Sequence, residues 1–222
     1  MNVSEAVASR RSIRQFLPEP VARDVLERVL AKAQRAPSGG NVQPWNIHVV
    51  TGAALARLCE GVAALLPQGR AAHSTEYAIY PEALADRYED SRREVGEGMY
   101  AALGIAREDK AGRLGQFLRN YRAFDAPVLM LVHTPRYMGP PQWADMGMWL
   151  QTVLLLLREE GLDSCAQEAW AVYQRHIREH VAIPADHLLF CGISVGHRDP
   201  EAPVNGFAVS RAPLESVVTF VE

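Results

Sequence analysis

Three guanidinium groups and a hydroxyl fall within five residues near the N-terminus: Arg10, Arg11, Ser12 and Arg14, in the string SRRSIRQF over residues 9–16. The planar fork of guanidinium donors matches phosphate oxygens. A hydrogen bond to a charged group is worth about 1.5–3 kcal/mol, so two or three of them would hold a mononucleotide phosphate firmly. The same residues also suit the solvated basic end of a short helix. A second polar segment is APSGGNVQPW, residues 36–45. Its two glycines let backbone approach a ligand closely, and Ser38, Asn41 and Gln43 add donors and acceptors. It could equally be a plain turn. A third segment is CGISVGHRDPEAPVNGFAVSRAPLE, residues 191–215. Gly192 and Gly196 occupy strand positions where another backbone or a flat ring could come close. Arg211 follows, just before Pro213.

Other chemistry is weaker. His176-Ile177-Arg178-Glu179-His180 fits H-x-x-E-H, a zinc-hydrolase string, but it is short and its neighbours read as a charged surface helix. No metal site is expected. No G-x-G-x-x-G follows a strand and no G-x-x-x-x-G-K-[ST] occurs, so a Rossmann site and a P-loop are unsupported. No Ser–His–Asp or Cys–His constellation is visible. Cys165 reads as a small buried filler.

The elements that must position these residues belong to an ordinary globular chain. It has 222 residues, 48% hydrophobic and 22% charged, enough for a sizeable core and unlike a disordered sequence. The net charge of -3 argues against nucleic-acid binding. The longest purely apolar run, Val153 to Leu157, is far short of a membrane span. No signal-peptide block opens the chain. Three scattered cysteines make neither a disulfide framework nor a CxxC pair. The expected location is the cytoplasm.

Helical spacing covers 21–36, 53–66, 142–160 and 170–181, and composition makes 86–124 helical with breaks at Gly104 and Gly112. Strands are expected at 46–51, 127–134, 163–167, 188–195 and 217–221. The helix over 142–160 is apolar nearly all round, interrupted only by Asp145, Gln151 and Thr152. Such a helix must be buried on all sides, and a second copy of the chain is the simplest cover. A homodimer is expected.

SRRSIRQF, APSGGNVQPW, GLDSCAQEAW and GHRDPEAPVN…SRAPLE occur in this order across nearly the whole chain. Together they resemble the nitroreductase family of flavoproteins. The resemblance implies an α+β fold with a mixed, mostly antiparallel central sheet flanked by helices. It implies one FMN-binding domain over 1–222, an intertwined homodimer, and a helical excursion at 67–124 over the substrate side. By resemblance Arg10, Arg11, Ser12 and Arg14 bind the FMN phosphate and the flavin's pyrimidine edge, and Arg211 completes the phosphate site. Pro37, Ser38, Gly39 and Asn41 match a loop lent by the partner subunit. Gln167, Glu168 and Ala169 match the stretch against one flavin face, with the Glu168 backbone N–H near N5, and Gly196 matches a glycine close to the cofactor. Ala166 stands where many members carry proline, and Val209 where some carry a second basic residue. Tyr121, Phe124 and Tyr137 are candidates for the acceptor pocket.

The implied activity is hydride transfer from NADH or NADPH to flavin N5, then reduction of a nitroaromatic or quinone-like small molecule by a ping-pong cycle. The protein then supplies binding, orientation and electrostatics, and no side chain is needed as a nucleophile. Other flavin reactions on the same fold, reductive dehalogenation or dehydrogenation, are alternatives. So is an FMN-binding module without turnover.

Overall fold

Four segments, three of them rich in β-branched and other apolar residues, pair into one sheet in the computed structural model, which describes residues 1–222. The chain runs through α1 (Val3–Ser9), α2 (Arg23–Ala33), β1 (Asn46–Thr51), α3 (Gly52–Leu65), α4 (Asp86–Ala102), α5 (Lys110–Leu118), β2 (Val128–Pro135), α6 (Pro140–Glu159), β3 (Asp163–Gln167), α7 (Gln174–His180), β4 (His187–Gly196) and α8 (Pro203–Gly206). Short 3-10 segments lie between several of them, at Leu66–Ala72, Arg119–Asp125 and Glu168–Tyr173 among others. The strand order is β1-β2-β4-β3, and every strand pair is antiparallel. The one parallel pairing is an isolated bridge between Ser12 and Ser164. The fold is α+β.

The central strands β2 and β4 are covered on both faces, which is why they read as continuous apolar runs rather than as alternations. Leu129 and Leu131 of β2 pack under α3 and α7 with Leu58, Val62, Trp170 and Ile177. Val128, Met130 and Val132 face α2 and α6 with Val29, Trp149, Val153 and Leu157. The register slips between Val132 and His133, so Phe190 has no partner on β2. That bulge lets Leu189 face the first core and Cys191 the second, although their spacing alone would put them on one face. Gly192 is glycine because Trp170 lies flat against the strand there, where a Cβ would collide with the indole ring.

Two expectations change. Gly112 does not break a helix: it sits in the first turn of α5, and its N–H donates to Asp109 Oδ1 at 2.8 Å. Gly104 does end α4, at φ +67°. Residues 217–221 are not a strand; Val217 closes a turn after Leu214–Ser216 and the exposed residues that follow pair with nothing. A strand needs an edge to pair with, and this tail meets none in its own chain.

Helix α6 is less enclosed than its composition suggests. Met146, Trp149, Val153 and Leu157 are buried, while Met148 is 42% exposed and Ala144 and Gln151 also face out.

A row of imidazoles crosses one end of the sheet. His48 Nδ1 is 2.9 Å from His133 Nε2, and His133 Nδ1 is 2.8 Å from His187 Nδ1. Burial, then the nearby His48 and His187, pushes His133 down to about 4. Between that value and the ordinary 6.5 the unfolded chain binds the extra proton. Stability is therefore complete above about pH 6.5 and falls as pH drops toward 4. We expect a loss of roughly 2 kcal/mol over this window, allowing for solvent screening. Urea unfolding at pH 7.5, 6, 5 and 4.5 measures it. A His133→Gln variant should show a flatter profile, and equal slopes in both proteins would defeat the assignment.

Candidate anion and cofactor site

Helix α1 is short but well started. Asn2 Oδ1 accepts the Glu5 N–H, and the Glu5 carboxylate accepts the Asn2 N–H, both at 2.9 Å. It stops at Arg10, whose ψ of 124° turns the chain into an extended segment along the outer edge of β3. There the Ile13 N–H donates to Ser164 O at 3.0 Å. Extended chain alternates sides, so burying Ile13 sends Ser12 and Arg14 the other way.

Buried Asn205 holds this segment in place. Its Oδ1 accepts the Arg14 N–H at 2.9 Å, and its Nδ2 donates to the carbonyls of Gln15 at 2.8 Å and Asp199 at 2.9 Å. Sequence reading passed over Asn205. The available signal was its place two residues after the turn proline of EAPVNG, a point where an amide can cap two loops.

Arg10, Arg11, Ser12, Arg14 and Arg211 line one cleft of about 440 Å³, together with Val204, Phe207 and Val209. None of these four arginines has a carboxylate partner, whereas Arg158 and Arg198 share Asp163. Partial burial, then the positive charge of Arg211, lowers the Arg10 pKa. Like charges gathered without a counter-charge are unfavourable by themselves. An anion with several oxygens removes that repulsion and gives each guanidinium fork an acceptor. The cleft therefore fits a phosphate group.

The stretch after β3 borders the same edge. Gln167 is buried and its amide is fully engaged: Nε2 donates to Asn120 O at 2.9 Å, and Oε1 accepts from Trp170 Nε1 at 3.3 Å and from Ser194 Oγ. Its side chain is thus a structural anchor, leaving only backbone for a ligand. Glu168 opens the following 3-10 turn, so its N–H has no acceptor within that turn. Its side chain reaches the surface, yet surrounding residues exclude enough water to raise its carboxyl above the ordinary value. Ala166 and Ala169 are accessible beside it. Cys165 is buried and its thiol is pushed up by that burial, which makes it a filler and not a nucleophile.

The remaining expected residues lie elsewhere. Pro37, Ser38, Gly39 and Asn41 form an exposed turn at the start of α6, where the Gly39 N–H donates to Asp145 at 3.2 Å. Asn41 holds φ +58° there. None of the four lines the arginine cleft of its own chain. Gly196 is in the core, where a Cβ would stand 2.7 Å from Pro127 and 3.2 Å from Phe16. Packing within the chain explains that glycine. Tyr121 is a core residue whose ring meets Trp170 and Tyr173 edge-on. Tyr137 is 81% exposed on the turn after β2. Phe124 alone of the three aromatics lines a second cleft, of about 520 Å³, with Arg14, Tyr100, Phe117 and Asn120. It sits in a run of left-handed backbone, Ala123 to Asp125, at φ +50° to +66°. Arg14 borders both clefts, so the two adjoin.

The excursion contributes α4 and α5 to the walls of the second cleft. Helix α4 has no buried residue at all, which makes it a lid-like surface element and not part of the core. No helix of the chain is long and apolar enough to cross a membrane.

Comparison with known proteins agrees with this layout. The 4-nitrobenzoate reductase of Nocardioides sp. (strain LMS-CY) is 36% identical over 217 residues, 97% of this chain and 88% of that one. The crystal structure of the FMN and NADPH-dependent nitroreductase NfnB from Sphigopyxis sp. strain HMH matches with a TM-score of 0.98 and 51% identity, covering 100% of both chains. The FMN-dependent nitroreductase NfnB from Mycobacterium smegmatis, solved in complex with NADPH, matches at 0.93 with 29% identity, again over 100% of both. The sequence model of the nitroreductase family matches residues 7–197, most of the chain, and the chain belongs to the nitroreductase family.

Proposed function

We propose that the protein is an FMN-dependent NAD(P)H oxidoreductase that reduces nitroaromatic compounds, with quinones as further acceptors, in a ping-pong cycle. One observation carries the reading: four arginines without carboxylate partners line a single cleft beside the edge of β3. When bound there, FMN supplies the two-electron transfer between donor and acceptor. Arg10, Arg11, Arg14 and Arg211 hold its phosphate and offset negative charge, with the Ser12 hydroxyl as a further donor. The Glu168 N–H is the backbone donor toward the ring system, with Gln167 and Ala169 on either side of it, and Gly196 keeps the strand behind them close-packed. The adjoining cleft with Phe124, Phe117 and Tyr100 takes the flat acceptor. Tyr121 supports that wall from the core.

A homodimer completes the site in this reading. The turn of Pro37, Ser38, Gly39 and Asn41 is too far round the fold to serve its own chain's cleft, so it serves the partner's. Three features support this. The uncovered stripe of Ala144, Met148 and Gln151 runs along α6. The outer edge of β1 has no backbone partner. The tail exposes Phe220 and Val221 at 82% and 92%. Tyr137, on the exposed turn after β2, is kept only as a contact from the second copy.

Relatives named for the reduction of 4-nitrobenzoate, nitrobenzene and chloronitrobenzene favour nitro-group reduction over reductive dehalogenation. An absorption spectrum tests the whole. Protein reconstituted with FMN should show flavin bands that NADH or NADPH bleaches without oxygen and that 4-nitrobenzoate restores. Bands that never bleach would point to a binding module without turnover. Failure to take up FMN would end the proposal.

A further inference from the structure

Helix α7 carries His176, Glu179 and His180 at positions i, i+3 and i+4, on one side of the helix. Their ligand atoms all lie within 4.8 Å of one another. Both imidazoles are already oriented. His180 Nδ1 is 3.0 Å from the carbonyl oxygen of His176. A carbonyl only accepts, so Nδ1 carries the ring proton and Nε2 keeps a free lone pair. A hydrogen bond of this kind is what fixes the tautomer of metal-binding histidines.

His176 is oriented by packing instead. Its Nε2 is buried without a hydrogen-bond partner. It presses on Gly61 of α3, a position where any Cβ would overlap the ring. The nitrogen left available is Nδ1, which is 3.9 Å from Glu179 Oε2.

We propose that His176 Nδ1, His180 Nε2 and a carboxylate oxygen of Glu179 bind one divalent transition-metal ion, with water in the remaining position. Two imidazoles and one carboxylate form a borderline donor set that suits zinc. Zinc–ligand bonds of about 2.0–2.2 Å place ligand atoms roughly 3.3 Å apart. Glu179 is exposed and free to close that gap by side-chain rotation, while His180 keeps its bond to the His176 carbonyl. The site is structural. The arginine cleft and the aromatic cleft beside it are lined by no residue of α7, so the ion would sit apart from the cofactor site. The metal instead clips the last turn of α7 over the face that packs on α3. The H-x-x-E-H string thus has a physical use that hydrolysis does not explain.

Isothermal titration of untagged, EDTA-treated, FMN-loaded protein with zinc chloride at pH 7.5 tests this. We expect one zinc per chain. His180→Ala should weaken binding about tenfold or more. His180 is exposed and bonds only to its own turn, so this variant should fold normally. Glu179→Gln should bind more weakly than wild type but better than His180→Ala. Saturating zinc should raise the melting temperature of wild type by several degrees and leave that of His180→Ala unchanged. The proposal fails if wild type takes up no zinc. It also fails if His180→Ala binds as wild type does, which would place the ion at His48, His133 and His187 or elsewhere. Flavin content is read in the same samples and is independent of α7, so the outcome does not depend on the cofactor assignment.

Discussion

Replacing Arg10 and Arg211 together by alanine is expected to give a folded protein that binds FMN roughly 10²–10⁴-fold more weakly. Each guanidinium contributes at least one hydrogen bond to a charged oxygen, worth about 1.5–3 kcal/mol. Two such bonds amount to about 3–6 kcal/mol, and about 1.4 kcal/mol is tenfold in affinity. Folding should survive because neither side chain supports the core. Arg211 is exposed and donates only to the carbonyls of Val209 and Ser210. Arg10 has no ion-pair partner, and loss of either charge relieves the repulsion between them. Quenching of FMN fluorescence on binding measures the affinity, and a thermal melt of the apoprotein checks the fold. Arg11→Ala, at an exposed position, should have a smaller effect. An affinity of the double variant within about threefold of wild type would remove the phosphate assignment at both positions.

Asp163→Ala should be the most destabilising substitution near the site, at about 3–5 kcal/mol. Asp163 is 2% exposed at the first position of β3. It accepts from Arg158 Nη1 at 2.8 Å and from Arg198 Nε at 2.7 Å. Removing the carboxylate leaves two partly buried cations facing one another with no counter-charge. Breaking one side of a buried pair is much more harmful than replacing the whole of it, because the charge left behind has lost its water. The damage should spread to the cofactor site. Arg198 is bridged to Phe16, and Leu17 N–H donates to His197 O at 2.9 Å, so the same corner fastens the arginine-bearing segment. Urea unfolding of the apoprotein at pH 7.5 reads the loss. A midpoint shift worth less than about 0.5 kcal/mol would mean that this ion pair is dispensable.

How much of this was legible in the sequence varied with the range of the forces involved. Strands 46–51 and 163–167 are where local pattern put them, and β2 and β4 are displaced by a single residue or extended by one at each end. Continuous burial on both faces makes such strands apolar throughout, and that is written in composition. The terminal strand was not recoverable in the same way. Val217 to Val221 has the right residues, but pairing depends on an edge that this chain does not offer its own tail. Gly112 misled because a glycine in a first helical turn, beneath an aspartate cap, costs little there. The bulge at Phe190 and the fit of Trp170 over Gly192 depend on contacts between β4 and elements far away in the chain.

The candidate site divides along the same line. Residue types and order by themselves determined the basic N-terminal segment and the nitroreductase resemblance, because these rest on local spacing, and the α+β class followed from what that resemblance implies. Only the tertiary structure decided which arginines meet. It brought Arg211 next to Arg10 across some two hundred residues of sequence and left both without acids, while it gave Arg158 and Arg198 to Asp163. It separated the Pro37–Asn41 turn from the cleft, buried Tyr121 and Gly196, and pressed His176 against Gly61 of α3. Charge in a sequence is only a count. Whether that charge is paired, and so whether it can hold an anion, depends on distances between residues that are remote along the chain.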